Sequence, residues 1–238
     1  MAERGTAPVI GIIGGMGPLA TAELFKKLTL AVRAPGDSGH PRVIVDSDPS
    51  IPDRTEHILG TGPDPLPALM ASARRLTQAG ATLCVVASVT AHAYLDGLRA
   101  AVHCEFMSAF DAFKDHLSAK YPAVKRIGVL ATTGAIKAEL FERHVPELRV
   151  HYSDAEAQER FVMEAIYGPQ GIKAGNVGDE PRRLLKQAAA RLIARGADLV
   201  VVACAEMSLV LGQADVSVPL VDPMQCLVDR LVARIQAA

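Results

Sequence analysis

The chain has no excess of either charge: among its 238 residues, 25 Lys and Arg stand against 26 Asp and Glu, a formal net charge of −1. The basic residues are spread along the sequence, so it carries no electrostatic footprint for nucleic acid or an anionic membrane surface. It also lacks any apolar run approaching the roughly 18 residues that a membrane span requires, and its N-terminal MAERGTAPV lacks the apolar centre of a secretory signal. These absences point to a cytoplasmic protein, with no membrane and no nucleic-acid partner, that handles a small molecule. Cysteine is scarce too. Cys84, Cys104, Cys204 and Cys226 are far apart, form no C-x-x-C pair and have no histidine at zinc spacing, which excludes a disulfide framework and offers no metal set. Cys84 and Cys226 lie inside apolar runs and read as small buried hydrophobes.

About half of the residues are apolar, enough for a proper core in a chain of this length. Strand-like runs occur as VIGII at 9–13, RVIVDS at 42–47, TLCVVA at 82–87, RIGVLA at 126–131, LRVHYS at 148–153, DLVVVA at 198–203 and VPLVD at 218–222. Helical periodicity fills most gaps, as at 18–32, 66–78, 181–194 and 224–236. Alternation of this kind, with strands apolar on both faces, predicts an α/β fold of parallel sheets covered by helices.

The chain repeats itself. GATLCVVAS (80–88) lies over GADLVVVAC (196–204), with Arg75-Leu76 over Arg191-Leu192 in the preceding helices. IGIIGGMGPLATAELF (10–25) lies over IGVLATTGAIKAELF (127–141) with one residue fewer. The pattern predicts two similar doubly wound parallel-sheet domains related by a pseudo-two-fold axis: a first over residues 1–107, completed by 208–238, and a second over 108–207. Ligands of open parallel sheets bind beyond the carboxyl ends of the strands. Ser88 and Cys204 end equivalent strands, so such an axis would bring them to one cleft from opposite sides.

Three features carry candidate chemistry. In GGMGPLA (14–20), Gly15, Gly17 and Ala20 fit the G-x-G-x-x-G/A dinucleotide fingerprint. The acidic residue that should follow comes late, at Asp46, and a tight turn offering backbone N–H groups to an anionic substrate accounts for the stretch equally well. Cys204, if a helix begins just after it, would have its thiol pKa lowered from about 8.5 and would serve as base or nucleophile. Ser88 has no such option and stays protonated near neutrality. His92, four residues after Ser88, either activates it or merely caps and satisfies the core.

IGIIGGMGPLATAEL, DSDPSIPDRTEHIL, the TAH of ASVTAH, YGPQGIKAG and ACAEMSLVL resemble, in order and across nearly the whole chain, the PLP-independent aspartate/glutamate racemases, specifically the aspartate racemase branch. The resemblance implies a two-domain α/β fold, a homodimer, and α-carbon deprotonation of an amino acid without cofactor or metal, by two cysteines on opposite faces of the substrate. The family's usual Cys-Asn-Thr-Ala-His is here Ser88-Val89-Thr90-Ala91-His92, and its Gly-Cys-Thr-Glu is Ala203-Cys204-Ala205-Glu206. Cys204 therefore maps onto one catalytic thiol and Ser88 onto the place of the other, where it is impaired as a base.

A dicarboxylate needs cations at both ends. Arg54 in SIPDRT and Lys173 in GIKAG correspond to family positions that bind carboxylates. Met16 and Gly17 in the first turn, Thr90 and His92 after Ser88, and Thr132 and Thr133 in the equivalent turn of the second half complete the expected substrate-binding set. Glu206 would orient Cys204 or the substrate ammonium, whereas Asp222 reads equally well as the cap of the last helix. The expected function is a racemase-family enzyme acting on a small acidic amino acid or related dicarboxylate. The alternatives are a one-thiol stereospecific decarboxylase, lyase or isomerase, and a non-catalytic binder of acidic amino acids.

Overall fold

In the computed structural model, residues 7–237 are described. The first half runs β1 (Ile10–Gly14), α1 (Pro18–Ala31), β2 (Val43–Ser47), α2 (Arg54–Ile58), α3 (Leu66–Gln78), β3 (Leu83–Val86), α4 (Leu95–Ala101), β4 (Glu105–Phe106) and α5 (Ala109–Lys120). The second runs β5 (Arg126–Ala131), α6 (Thr133–Lys137), α7 (Leu140–His144), β6 (Arg149–His151), α8 (Ala155–Ala157), α9 (Glu164–Tyr167), α10 (Asp179–Ala194), β7 (Leu199–Ala203), β8 (Leu220–Val221) and α11 (Pro223–Gln236), with a π-helical turn, Gln158–Met163, joining α8 to α9. The strands form two parallel four-stranded sheets, ordered β2-β1-β3-β4 and β6-β5-β7-β8. The two orders are the same once the halves are superposed in sequence, so the duplication read from the repeats is a duplication of topology.

The pleat decides what each strand residue touches. Ile10 and Ile12 of β1, Leu83 and Val85 of β3, Ile127 and Val129 of β5 and Leu199 and Val201 of β7 all enter one apolar layer with α1, α5, α7 and α11. The alternate residues face outward. Ile13 and Val86 pack under α3 and α4, while Leu130, Val200 and Val202 pack under α9 and α10. Both sheets thus share a central core and each keeps a separate outer one. Gly11 and Gly128 are forced by the outer packing: a Cβ on Gly11 would lie 2.9 Å from Ala81 Cβ, and one on Gly128 would lie 2.9 Å from Leu192 Cβ. Equivalent glycines let equivalent helices close on equivalent central strands.

The seven expected strands are present, but the runs at 148–153 and 218–222 shrink to short edge strands, and β4 is too short to show any periodicity. The expected division of the chain meets a difference. β8 lies within 208–238, the stretch assigned to complete the first domain, yet it pairs with β7 at the edge of the second sheet. In the same stretch α11 packs on α1 of the first half, and α5, placed by sequence in 108–207, packs on α7 of the second half as well as on α11. The repeat as read from sequence ended at Ser88 and Cys204, whereas each structural half continues through one more strand and helix. Asp222 takes its plainer role: it caps α11 by accepting from the Met224 N–H at 2.8 Å and pairs with Lys27 at 2.7 Å.

Phe110 is fully buried in the shared layer, with its ring 5.0 Å from that of Phe141. Phe110→Ala should cost about 3–5 kcal/mol. Because the layer is common to both sheets, chemical denaturation should remain one transition by tertiary and secondary probes alike; two separated transitions would show that the halves unfold independently.

Candidate active site

The carboxyl ends of β3 and β7 do converge. Ser88 and Cys204 line the same narrow chamber, together with Arg54, Thr90, Thr132, Lys173 and Glu206. Its free volume is about 10 Å³, room for about one water. An outer chamber of about 470 Å³ adjoins it, lined by the turn from Gly15 to Leu19 and by Ile51, Asp53 and Gly175. Met16, Arg54, Lys173 and Glu206 line both, so these four form the partition between them.

Arg54 is brought here by the first turn of α2, whose N-terminus is fixed by Asp53 accepting from the N–H groups of Thr55 and Glu56. The residue is buried, at 6% exposure. It donates to the carbonyl of Met16 at 2.7 Å and to that of Pro52 at 3.1 Å, and its Nε has no partner. Among the described residues no carboxylate lies within ion-pairing distance of it. A buried cation without a counter-charge is costly and suits an anionic ligand.

Lys173, in a 3₁₀ turn at Ile172–Ala174, pairs with Glu206 Oε1 at 3.0 Å and lies 5.3 Å from the centre of the Tyr167 ring. The same Oε1 accepts from the Gly17 N–H at 3.0 Å, and Oε2 accepts from the Cys204 thiol at 3.1 Å. The expected lowering of the Cys204 pKa by a helix dipole is overturned. Only a turn and the 3₁₀ segment Met207–Leu209 follow it. Burial, then the Glu206 carboxylate, hold the thiol well above its ordinary value, with Lys173 opposing. In this conformation the sulfur is a protonated donor.

Ser88 Oγ is approached by the Ala91 N–H at 3.4 Å. His92 does not activate it, a second correction. Its Nδ1 donates to the Ser88 carbonyl at 2.9 Å and its Nε2 accepts from the Ala109 N–H at 3.0 Å, an assignment that the amide donor requires. Both ring nitrogens are spent joining the β3 turn to α5, and His92 does not line the chamber. Nor does Thr133, whose hydroxyl accepts from Gln158 at 3.3 Å. Thr90 and Thr132 do line it and share a hydrogen bond of 2.9 Å across the two halves, while Thr132 also caps α6 through the Ala135 N–H.

The dinucleotide alternative for GGMGPLA loses its acidic partner, because Asp46 is paired with Arg75 at 2.7 Å. Among the described residues no three His, Cys, Asp or Glu side chains converge as a metal set. Sequence reasoning missed Tyr167, which lines the inner chamber and donates to Asp53 Oδ2 at 3.0 Å. Burial, and then the nearby Asp53, push its phenol upward. YGPQGIKAG contains it, but a tyrosine in a loop gives no periodic signal.

Burial depresses His92 to about 4. The unfolded chain takes up a proton near 6.5 that the native state refuses, so stability is full above 6.5 and falls as pH drops toward 4, by about 3 kcal/mol. His144 and His151, also lowered by burial, act in the same direction. His92→Gln should destabilise at neutral pH by about 1–3 kcal/mol and flatten the loss between pH 6.5 and 4 in urea titrations; an unaltered pH profile would contradict the neutral buried imidazole.

The sequence matches the Asp/Glu/hydantoin racemase family over residues 13–231. A protein of Pectobacterium carotovorum, described as an uncharacterized protein in the pnlA 3′ region, is 30% identical over 95 residues, 40% of this chain and 61% of that protein, so the chain spans about three fifths of that relative. Among solved structures, Picrophilus torridus aspartate racemase superposes with a TM-score of 0.82 at 22% identity, covering 96% of this chain and 94% of that one. A putative Asp/Glu racemase from Yersinia pestis gives 0.76 at 22% identity over 96% and 99%. Glutamate racemase from Francisella tularensis, solved with D-glutamate, gives 0.69 at 15% identity over 95% and 80%. At these identities the superpositions establish the fold alone. With a family match covering most of the sequence and the same two-sheet architecture, the chain belongs to the Asp/Glu/hydantoin racemase family.

Proposed function

We propose that the protein is a racemase-type enzyme, working without PLP, that transfers protons at the α-carbon of a small acidic amino acid, with Cys204 as the acid/base on one face and Ser88 opposite. The observation that carries this reading is a buried, uncompensated Arg54 in the same chamber wall as Cys204 and Ser88. A carboxylate on Arg54 would relieve the unpaired charge, and a second on Lys173 would fix the dicarboxylate between the two strand tips. The α-hydrogen would then face one tip or the other. Cys204 acts as a base once its own proton has passed to solvent: the thiolate takes the α-proton and leaves the electron pair on the α-carbon, and the thiol so formed returns a proton to it.

Ser88 does not match that role. Among the described residues no base contacts its hydroxyl, because His92 is committed to the backbone. Its alkoxide is inaccessible near neutral pH, so proton removal from its face lacks general-base help worth about 10²–10⁴-fold. This favours chemistry that is stronger on one face than on the other. It also supports a second reading, a one-thiol decarboxylase, lyase or isomerase that protonates a carbanion from the Cys204 side only.

Incubation in D₂O with L-aspartate and D-aspartate separately, read by NMR and chiral chromatography, tests both. Exchange at the α-carbon of one enantiomer, faster than inversion, is expected. Cys204→Ala should abolish exchange, and Ser88→Cys should raise inversion by about 10²-fold or more. Arg54→Met should raise KM by about 10–10²-fold, the worth of a charge-assisted carboxylate contact. Full exchange in the Cys204→Ala protein would remove the sulfur from its assigned place.

A further inference from the structure

Glu206 is not free to greet a substrate. Its carboxylate accepts from Lys173 and the Gly17 N–H on one oxygen, both at 3.0 Å, and from the Cys204 thiol on the other at 3.1 Å. A cation and a backbone amide converging on one carboxylate oxygen are the donors that a ligand carboxylate would seek. The approach is close. A Cβ on Gly17 would lie 3.1 Å from Glu206 Oε1 and 3.9 Å from Lys173 Nζ, so glycine there lets the amide reach the carboxylate.

The chamber behind this carboxylate has about 10 Å³ of free space, far less than an amino dicarboxylate needs, while the chamber in front has about 470 Å³. Something in the partition must move before a substrate reaches Cys204 and Ser88. Arg54 and the Met16 carbonyl are bound to each other at 2.7 Å. Glu206, by contrast, sits in a turn beyond β7, closed by the Met207 N–H on the Cys204 carbonyl, and its side chain can rotate toward the outer chamber without breaking a strand or helix.

We propose that Glu206 is a built-in occupant of the substrate's carboxylate seat, holding Lys173 and the Gly17 N–H until an incoming carboxylate displaces it, and that its withdrawal frees the Cys204 sulfur. This rests on the acidic-substrate reading above. The exchange keeps charge balanced: one carboxylate leaves the partly exposed Lys173 ammonium as another arrives, so its ion pair is replaced rather than lost. A neutral side chain in the substrate offers no such exchange and leaves the partition shut. The seat therefore selects for an acidic ligand by competition as well as by contact, and the apparent affinity is the intrinsic affinity scaled by the fraction of molecules in which Glu206 is withdrawn. The same movement removes the acceptor that holds the proton on Cys204.

Succinate, which carries two carboxylates and no amino group, is the probe. Calorimetric titration should show it binding Glu206→Gln about 10-fold more tightly than the unmodified protein, since an amide competes for Lys173 without charge. A purely structural Glu206 predicts weaker or unchanged binding, and either result overturns the proposal while leaving the acidic-substrate reading intact. The unmodified protein supplies a test that needs no folded variant at this position. Its Cys204 S–H infrared band, assigned by its loss in Cys204→Ala, should move to the position of a weakly bonded thiol when succinate saturates. A band that stays in place under saturation also overturns the proposal. If succinate, malonate and aspartate bind neither protein, the acidic-substrate reading fails and the occupant idea with it.

Discussion

The apolar layer shared by the two sheets is the constraint on which everything else depends. Four central strands turn the same parity of side chain into it, and α1, α5, α7 and α11 fill the space between. Burying that layer fixes the two sheets relative to each other, and the hydrophobic effect supplies the force without specifying direction. Direction comes from polar contacts at the strand ends. The Thr90–Thr132 hydrogen bond ties the β3 tip to the β5 tip, and His92 ties the β3 turn to α5. The inner chamber is what remains between the tips once these contacts are made.

The chamber is charged in an unequal way. Arg54 is buried with no counter-ion among the described residues, whereas Lys173 is paired with Glu206. One end is thus prepared for an anion at an energetic cost to the empty protein, and the other is kept satisfied. The thiol shares in the second arrangement, donating to the same carboxylate. Its pKa is raised first by burial and then by the Glu206 carboxylate, with Lys173 opposing. Among the described residues Ser88 Oγ meets only the Ala91 N–H, at 3.4 Å, so the two strand tips are chemically unlike.

Much of this was legible in the residues. The repeats 10–25 over 127–141 and 80–88 over 196–204 carry the duplicated topology, because equivalent strands require the same apolar runs and the same glycines under the same helices. The resemblance also set Ser88 and Cys204 at equivalent strand ends, and both line one chamber. What escaped was of two kinds. Two-residue strands such as β4 have no period to detect, and the boundary of each half lay beyond the end of the visible repeat, so β8 was assigned to the first domain. Side chains whose partners lie far along the chain were the other. His92 is bound to Ala109, Tyr167 to Asp53, and Glu206 to both Gly17 and Lys173.

The sequence by itself determined the parallel α/β class, the duplication and the residue types that reach the strand ends, since those follow from local periodicity and from what each side chain can do chemically. Only the tertiary structure decided which of those residues face the chamber and in what ionisation state, because burial and hydrogen-bond partners are set by segments more than 100 residues apart, as Gly17 and Glu206 are.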